Sequence, residues 1–217
     1  MKRINLLLGG PMTQWPTVLQ QQPQSIPGDW LGVDRGALRL LNLGRLPVLA
    51  VGDFDSLTPE ELKLVQTQVA DIHYAQPEKD DTDSELGLRL AFEKLQADEV
   101  VIYGATGARI DHFLVNLLML LEPRFRAYAP KVKLVDKQNT IRFFLAGEHV
   151  IHREKDKKYL AFINLTPIDA FDIFDAKYRL THKKLTYDRA YASNEFVGNT
   201  VHFALSNGVM CVIQSTD

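Results

Sequence analysis

Apolar residues follow two rhythms along the chain. Up to about residue 124, short aliphatic runs at 4–8, 46–51 and 100–103 alternate with longer segments of helical period at 59–69, 83–95 and 111–121. Strand and helix in alternation predict an α/β layer built on a largely parallel sheet. Beyond Pro130 only short strand-like runs remain, at 131–136, 140–145, 159–165, 190–192, 200–205 and 209–214. The link Ser206-Asn207-Gly208 reads as a type I′ hairpin turn between the last two, because Asn-Gly readily takes positive φ. The fold class is therefore α/β: a Rossmann-like three-layer domain with a mostly parallel sheet over residues 1–128, then an all-β sandwich over residues 129–217. Pro123 and Pro130 punctuate the boundary.

Composition narrows the function without naming it. The chain has 217 residues, enough for one large domain or two small ones with a proper core. Its 46% apolar and 24% charged content is ordinary for a globular chain. With 25 basic and 27 acidic residues and a net charge of −2, nothing favours a nucleic-acid or anionic-membrane partner. No run of about 20 apolar residues could span a bilayer, and Asn5 and Gly9-Gly10-Pro11 break the first run too early for a secretory segment. The single Cys211, set in Val209-Met210-Cys211-Val212-Ile213, reads as a strand position and fits a reducing cytoplasm.

Three stretches could carry chemistry. In Gly52-Asp53-Phe54-Asp55-Ser56 an apolar strand runs out into two aspartates. If strand geometry persisted, Asp53 and Asp55 would aim at one volume beyond the strand's C-terminal end, where open α/β sheets bind ligands. Paired carboxylates suit Mg²⁺; alternatively, Asp55 or Ser56 caps the helix near Pro59. The second stretch, Lys79-Asp80-Asp81-Thr82-Asp83-Ser84-Glu85, opens a helix. Thr82 and Glu85 have capping-box spacing, Asp80 and Asp83 can face one way, and Lys79 can reach a phosphate. The third runs from Gly104 to His112: glycines and a helix start suit an anion, Arg109 can clamp its oxygens, and Asp111 stands beside it. Neither a P-loop nor a dinucleotide fingerprint occurs.

In this order, Gly52 to Ser56, Lys79 to Asp83 and Gly104 to His112 resemble the thiamine pyrophosphokinases. Lys177-Tyr178-Arg179-Leu180 and Ser193-Asn194-Glu195-Phe196 resemble that family's β-domain signatures, so the likeness spans nearly the whole chain. It implies transfer of a pyrophosphoryl group from the co-substrate ATP to thiamine, assisted by Mg²⁺, giving AMP and thiamine diphosphate. Carried over by position, Asp53, Asp55 and Asp83 correspond to metal carboxylates. Asp34, Lys79, Asp80, Thr82, Gly104 and Arg109 fall on the nucleotide side, and Arg109 and Asp111 also on the catalytic loop. Ser193 and Asn194 correspond to thiamine contacts. The resemblance further implies a homodimer with sites at the subunit interface. One departure stands out: Val33-Asp34-Arg35-Gly36-Ala37 carries Arg35 where the family often has glycine. A pyrophosphokinase for another alcohol, such as a hydroxymethyl pterin, and a non-catalytic nucleotide- or thiamine-binding protein are the alternatives.

Overall fold

The computed structural model describes residues 1–75 and 81–217, which divide into two units: Met1–Leu120 with Leu134–Lys137, and Leu121–Lys133 with Gln138–Asp217. The first unit contains β1 (Arg3–Leu7), α1 (Thr17–Gln21), β2 (Asp29–Val33), α2 (Arg35–Asn42), β3 (Leu49–Gly52), α3 (Pro59–Gln68), β4 (Ile72–Tyr74), α4 (Asp83–Glu93), β5 (Glu99–Tyr103) and α5 (Ile110–Leu118). Its five strands are parallel in the order β5-β1-β2-β3-β4.

Alternation along β2 shows how the layers form. Gly32 faces α2, since a Cβ there would lie 2.4 Å from the Ala37 Cα, and Trp30 joins a core with Leu40 of α2, Leu7 and Tyr103. Leu31 and Val33 face the other way, against Gly87 of α4. Helices thus cover both faces, and strands buried on both sides read as continuous apolar runs. The order reverses at β1, which has β2 on one side and β5 on the other. That reversal opens a crevice beyond the strands' C-terminal ends.

After α6 (Pro123–Arg126) and β6 (Val132–Val135), the second unit holds β7 (Asn139–Phe144), β8 (Gly147–His152), β9 (Tyr159–Asn164), β10 (Ile168–Ile173), β11 (Leu180–Leu185), β12 (Arg189–Glu195), β13 (Thr200–Leu205) and β14 (Met210–Ser215). Two antiparallel sheets, β12-β9-β14-β7 and β11-β10-β13-β8, enclose a core of Leu160, Phe162, Phe171, Phe203, Met210 and Val212. Burying each such side chain contributes roughly 1.5–3 kcal/mol.

The predicted hairpin at Ser206-Asn207-Gly208 does not form. β13 pairs with β8 and β10, whereas β14 pairs with β7 and β9, so the turn carries the chain from one sheet to the other. Gly208 has φ +82°, but Asn207 is not in the left-handed region that a type I′ turn requires. The Asn207 Oδ1 instead accepts from the Asp169 N–H at 2.8 Å, and the Ser206 Oγ accepts from the Ala170 N–H at 3.0 Å. Among the described residues, no helix is long and apolar enough to cross a membrane.

Candidate active site at the strand ends

Three carboxylates meet beyond the first unit's strands. Asp34 follows β2, Asp53 follows β3, and Asp83 opens α4; one oxygen from each lies within 4.8 Å of the others. Strand geometry does not persist past Gly52: Phe54 turns into the left-handed region at φ +59° and buries its ring. Residue-by-residue alternation therefore stops, and Asp55 is not part of the three-carboxylate group. Its N–H donates to the Asp53 Oδ1 at 3.0 Å, and Asp55 lines the neighbouring hollow with Ser56.

Close approach explains two glycines. A Cβ on Gly52, at φ +149°, would stand 1.8 Å from the Asp34 Oδ1, so only glycine lets that carboxylate sit over the end of β3. A Cβ on Gly36 would stand 1.8 Å from the Leu7 carbonyl oxygen, so glycine seats the start of α2 directly on β1. Asp34 itself is held at φ +48°, an uncommon region for a non-glycine residue. Its N–H donates to the Val51 carbonyl at 2.9 Å, and its Oδ1 accepts from the Phe54 N–H at 3.4 Å.

The crowding is visible in the protonation of Asp34. Burial, then the Asp83 charge, pushes its carboxyl up to about 7, with Asp53 adding and the Phe54 N–H opposing. Three acids sharing one volume without a cation are costly, and a divalent ion with oxygen ligands is the group that offsets them. The donor set fits Mg²⁺: hard oxygens from separate chain segments, leaving room for phosphate oxygens or water.

Other roles that could have claimed these residues belong to neighbours. Thr58, not Asp55 or Ser56, caps α3, accepting from the Glu61 N–H at 3.3 Å while the Glu61 carboxylate accepts from the Thr58 N–H at 2.9 Å. Thr82 makes the corresponding box at α4: its N–H donates to the Glu85 carboxylate at 2.6 Å and its hydroxyl does so at 2.7 Å. Thr82 thus sets the start of the helix that presents Asp83. Lys79 and Asp80 lie outside the described residues.

Two adjoining hollows, of about 380 and 410 Å³, open above these residues and share Asp34, Ser84, His112 and Asn116 in their walls. The larger runs over the β1 and β5 ends, past Gly9, Gly10, Gly104 and Thr106, to Arg109. Here the Gly10 N–H donates to the Gly104 carbonyl at 2.9 Å. Arg109 and Asp111, both well exposed, form a two-pronged pair at 3.1 and 2.5 Å, which holds the Asp111 carboxyl below the usual carboxylate range. Asn116, not anticipated from sequence, is buried with its amide donating to the Ala105 carbonyl at 3.1 Å. Its one legible signal was an amide interrupting the apolar run Phe113-Leu114-Val115-Asn116-Leu117-Leu118.

In the second unit, Ser193 is exposed at φ +60°, where the β12 register with β9 is irregular. Asn194 beside it is buried, and its side chain is taken up by backbone. The amide donates to the Tyr178 carbonyl at 2.8 Å, and the Oδ1 accepts from the Tyr178 and Glu195 N–H groups at 2.9 Å each.

Comparison with known proteins yields one family. The model for the thiamin pyrophosphokinase catalytic domain matches residues 29–134, and that for the thiamin pyrophosphokinase vitamin B1 binding domain matches residues 148–210. The chain is 36% identical to the thiamine pyrophosphokinase of Bacillus subtilis (strain 168), covering 100% of both sequences. It also resembles the crystal structure of a thiamin pyrophosphokinase family protein from Enterococcus faecalis, at 41% identity and a TM-score of 0.93 over 100% of both chains. A protein of Lactobacillus plantarum is similar at 47% identity and a TM-score of 0.90, again over 100% of both.

Proposed function

The chain belongs to the thiamine pyrophosphokinase family, and on that premise we propose that Asp34, Asp53 and Asp83 form the metal and triphosphate end of its active site. As a member it is an enzyme with ATP and thiamine as substrates. In our reading the thiamine hydroxyethyl oxygen attacks the β-phosphorus of ATP in line. The bond from that phosphorus to the bridging oxygen breaks, AMP leaves with that oxygen, and the alcohol proton is released. Convergence of three carboxylates, with one aspartate pushed up to about 7, is the observation that carries the assignment.

Mg²⁺, held by Asp34, Asp53 and Asp83, would supply charge neutralisation at the phosphate oxygens. The chain's own residues do the rest by position. Glycines 9, 10 and 104 let backbone approach the nucleotide phosphates, and Arg109, tethered by Asp111, is placed to contact them. Asp55 and Ser56 line the same hollow from the β3 side. Lys79 and Asp80 belong to the nucleotide side of this reading by family position alone. Ser193 is assigned to thiamine, whereas the Asn194 side chain beside it ties β12 to the Tyr178 backbone.

The reading extends to a cytoplasmic homodimer whose acceptor contacts come from a second copy. An exposed apolar stripe on α5, Ile110, Leu114 and Leu118, supports such a partner. Buried Cys211, its thiol pushed up to about 12, is unsuited to disulfide chemistry and fits a reducing compartment. AMP release measured with and without thiamine and Mg²⁺ tests the activity: it should require both, and a hydroxymethyl pterin should not replace thiamine. Sedimentation gives the dimer, and a monomer with full activity would overturn that part.

A further inference from the structure

Arg35, the departure from the family's glycine, stands at the first position of α2, and Arg39 stands one turn later on the same face. Like charges four apart on a helix repel, and burial, then the Arg35 charge, lowers the basicity of Arg39. Each guanidinium is nonetheless committed to backbone carbonyls, on opposite sides of the strand that precedes the helix. Arg35 donates to the Ser56 carbonyl and to the Glu61 carboxylate at 3.3 Å, fastening the loop after β3. Arg39 donates to the Gly9 and Gly10 carbonyls at 2.8 and 2.6 Å, fastening the loop after β1, with its guanidinium 5.6 Å from the Trp15 ring centre.

Because β2 lies between β1 and β3, one helix reaches both flanking loops. The β3 loop needs such a hold. It runs through Gly52 and Phe54 at positive φ, and it carries Asp53 up against the Asp34 and Asp83 carboxyl groups. The β1 loop bears the glycines of the larger hollow.

We propose that α2 is a two-armed brace for the active site: Arg35 positions the loop that brings Asp53 to the metal carboxylates, and Arg39 positions the Gly9-Gly10 loop for the nucleotide. Both are positioning residues, and the proposal rests on the metal and nucleotide reading above. It opposes simple electrostatics, in which removing a cation beside three carboxylates tightens cation binding.

The test uses the full chain and two probes: Mn²⁺ alone, followed by electron paramagnetic resonance, and a non-hydrolysable ATP analogue in EDTA, followed by calorimetry. Arg35→Ala should weaken Mn²⁺ binding by about tenfold, as loss of a residue supporting metal ligands does, and weaken the nucleotide in EDTA by clearly less, since Arg35 and the Ser56 it holds only edge the larger hollow. Arg39→Ala should do the reverse. Arg35→Lys, which keeps the charge but not the two-pronged reach, should fall between wild type and Arg35→Ala. Wild-type or tighter Mn²⁺ binding in Arg35→Ala overturns the Arg35 arm, and unchanged nucleotide binding in Arg39→Ala overturns the other. Equal weakening of both probes by both variants overturns the division of labour. Asp53→Asn is the reference: if it binds Mn²⁺ like wild type, the metal reading fails and takes the Arg35 arm with it. If Asp53→Asn is weak and Arg35→Ala is not, only the arm fails.

Discussion

The buried amides of the sandwich and the carboxylates at the α/β unit's strand ends put polar side chains to opposite uses. In the sandwich, Asn164, Asn194 and Gln214 are each almost wholly buried and bond to main chain on both amide ends. Asn164 donates to Thr166 and Tyr187 carbonyls and accepts from the Arg189 N–H; Gln214 donates to the His152 carbonyl and accepts from the Glu154 N–H. In the α/β unit, Asp34, Asp53 and Asp83 bring one carboxylate oxygen each within 4.8 Å of the others, the group for which a cation is proposed above. Satisfied amides hold strands together, whereas opposed acids store electrostatic repulsion that a ligand relieves. The first arrangement serves stability and the second serves function.

If that contrast is right, Asp53→Asn and Asp83→Asn should cost the most activity. Losing a metal carboxylate removes several kcal/mol of charge stabilisation, and each 1.4 kcal/mol is tenfold, so turnover should fall on the order of a hundredfold or more. Thermal unfolding of the metal-free variants should show them no less stable than wild type, since one repelling charge is gone.

The next effect separates the units by pH. Asp34 titrates near 7 in the fold against an ordinary 3.8. Between those values the native state holds a proton that the unfolded chain has released. Stability from this group is therefore full below about 4 and is lost as pH rises through 7. Unfolding midpoints of metal-free protein should fall from pH 5 to pH 8, Asp34→Asn should flatten that slope, and saturating Mg²⁺ should restore the midpoint at pH 8.

A smaller effect is expected in the sandwich. Asn194→Ala strands the Tyr178 N–H and carbonyl and should cost about 1–3 kcal/mol, read as a lowered midpoint with turnover per folded molecule nearly preserved. Should Asn194→Ala instead raise the thiamine KM while leaving the midpoint alone, the contrast would break there. Ser193→Ala, at an exposed position, should change least: a severalfold rise in thiamine KM with kcat and midpoint close to wild type.

Local chemistry was legible in the chain, and long-range convergence was not. The Thr82 and Glu85 capping box, the apolar runs of β1, β3 and β5, and the start of α4 depend on residues a few positions apart. Asp53 and Asp83 could be picked out because each follows or opens a recognisable element. That Asp34 completes their group depends on β2 lying beside β3 and on Gly52 admitting its carboxylate, which no spacing announces. Asp55 joins Asp53 only while strand alternation lasts, and Phe54 ends it. Strands β2, β4, β8, β10 and β11 are not among the runs that the apolar pattern marks. In β11, Leu-Thr-His-Lys-Lys-Leu lies at a sheet edge and is mostly exposed, so it carries little apolar signal. The Asn-Gly turn was correct as a turn, but turn chemistry does not say which sheet receives the next strand.

That crossing turn also bears on how the chain is made. The strand it delivers, β14, does not end its sheet but lies between β7 and β9, roughly 70 and 50 residues back along the chain. During synthesis β7 and β9 emerge with the place between them still empty, their facing edges open to pairing with other chains. The sandwich closes only when residues 210–215 arrive, so this half cannot protect itself until β14 has been made. A chaperone that shields strand edges should raise the yield of folded protein by acting on that interval.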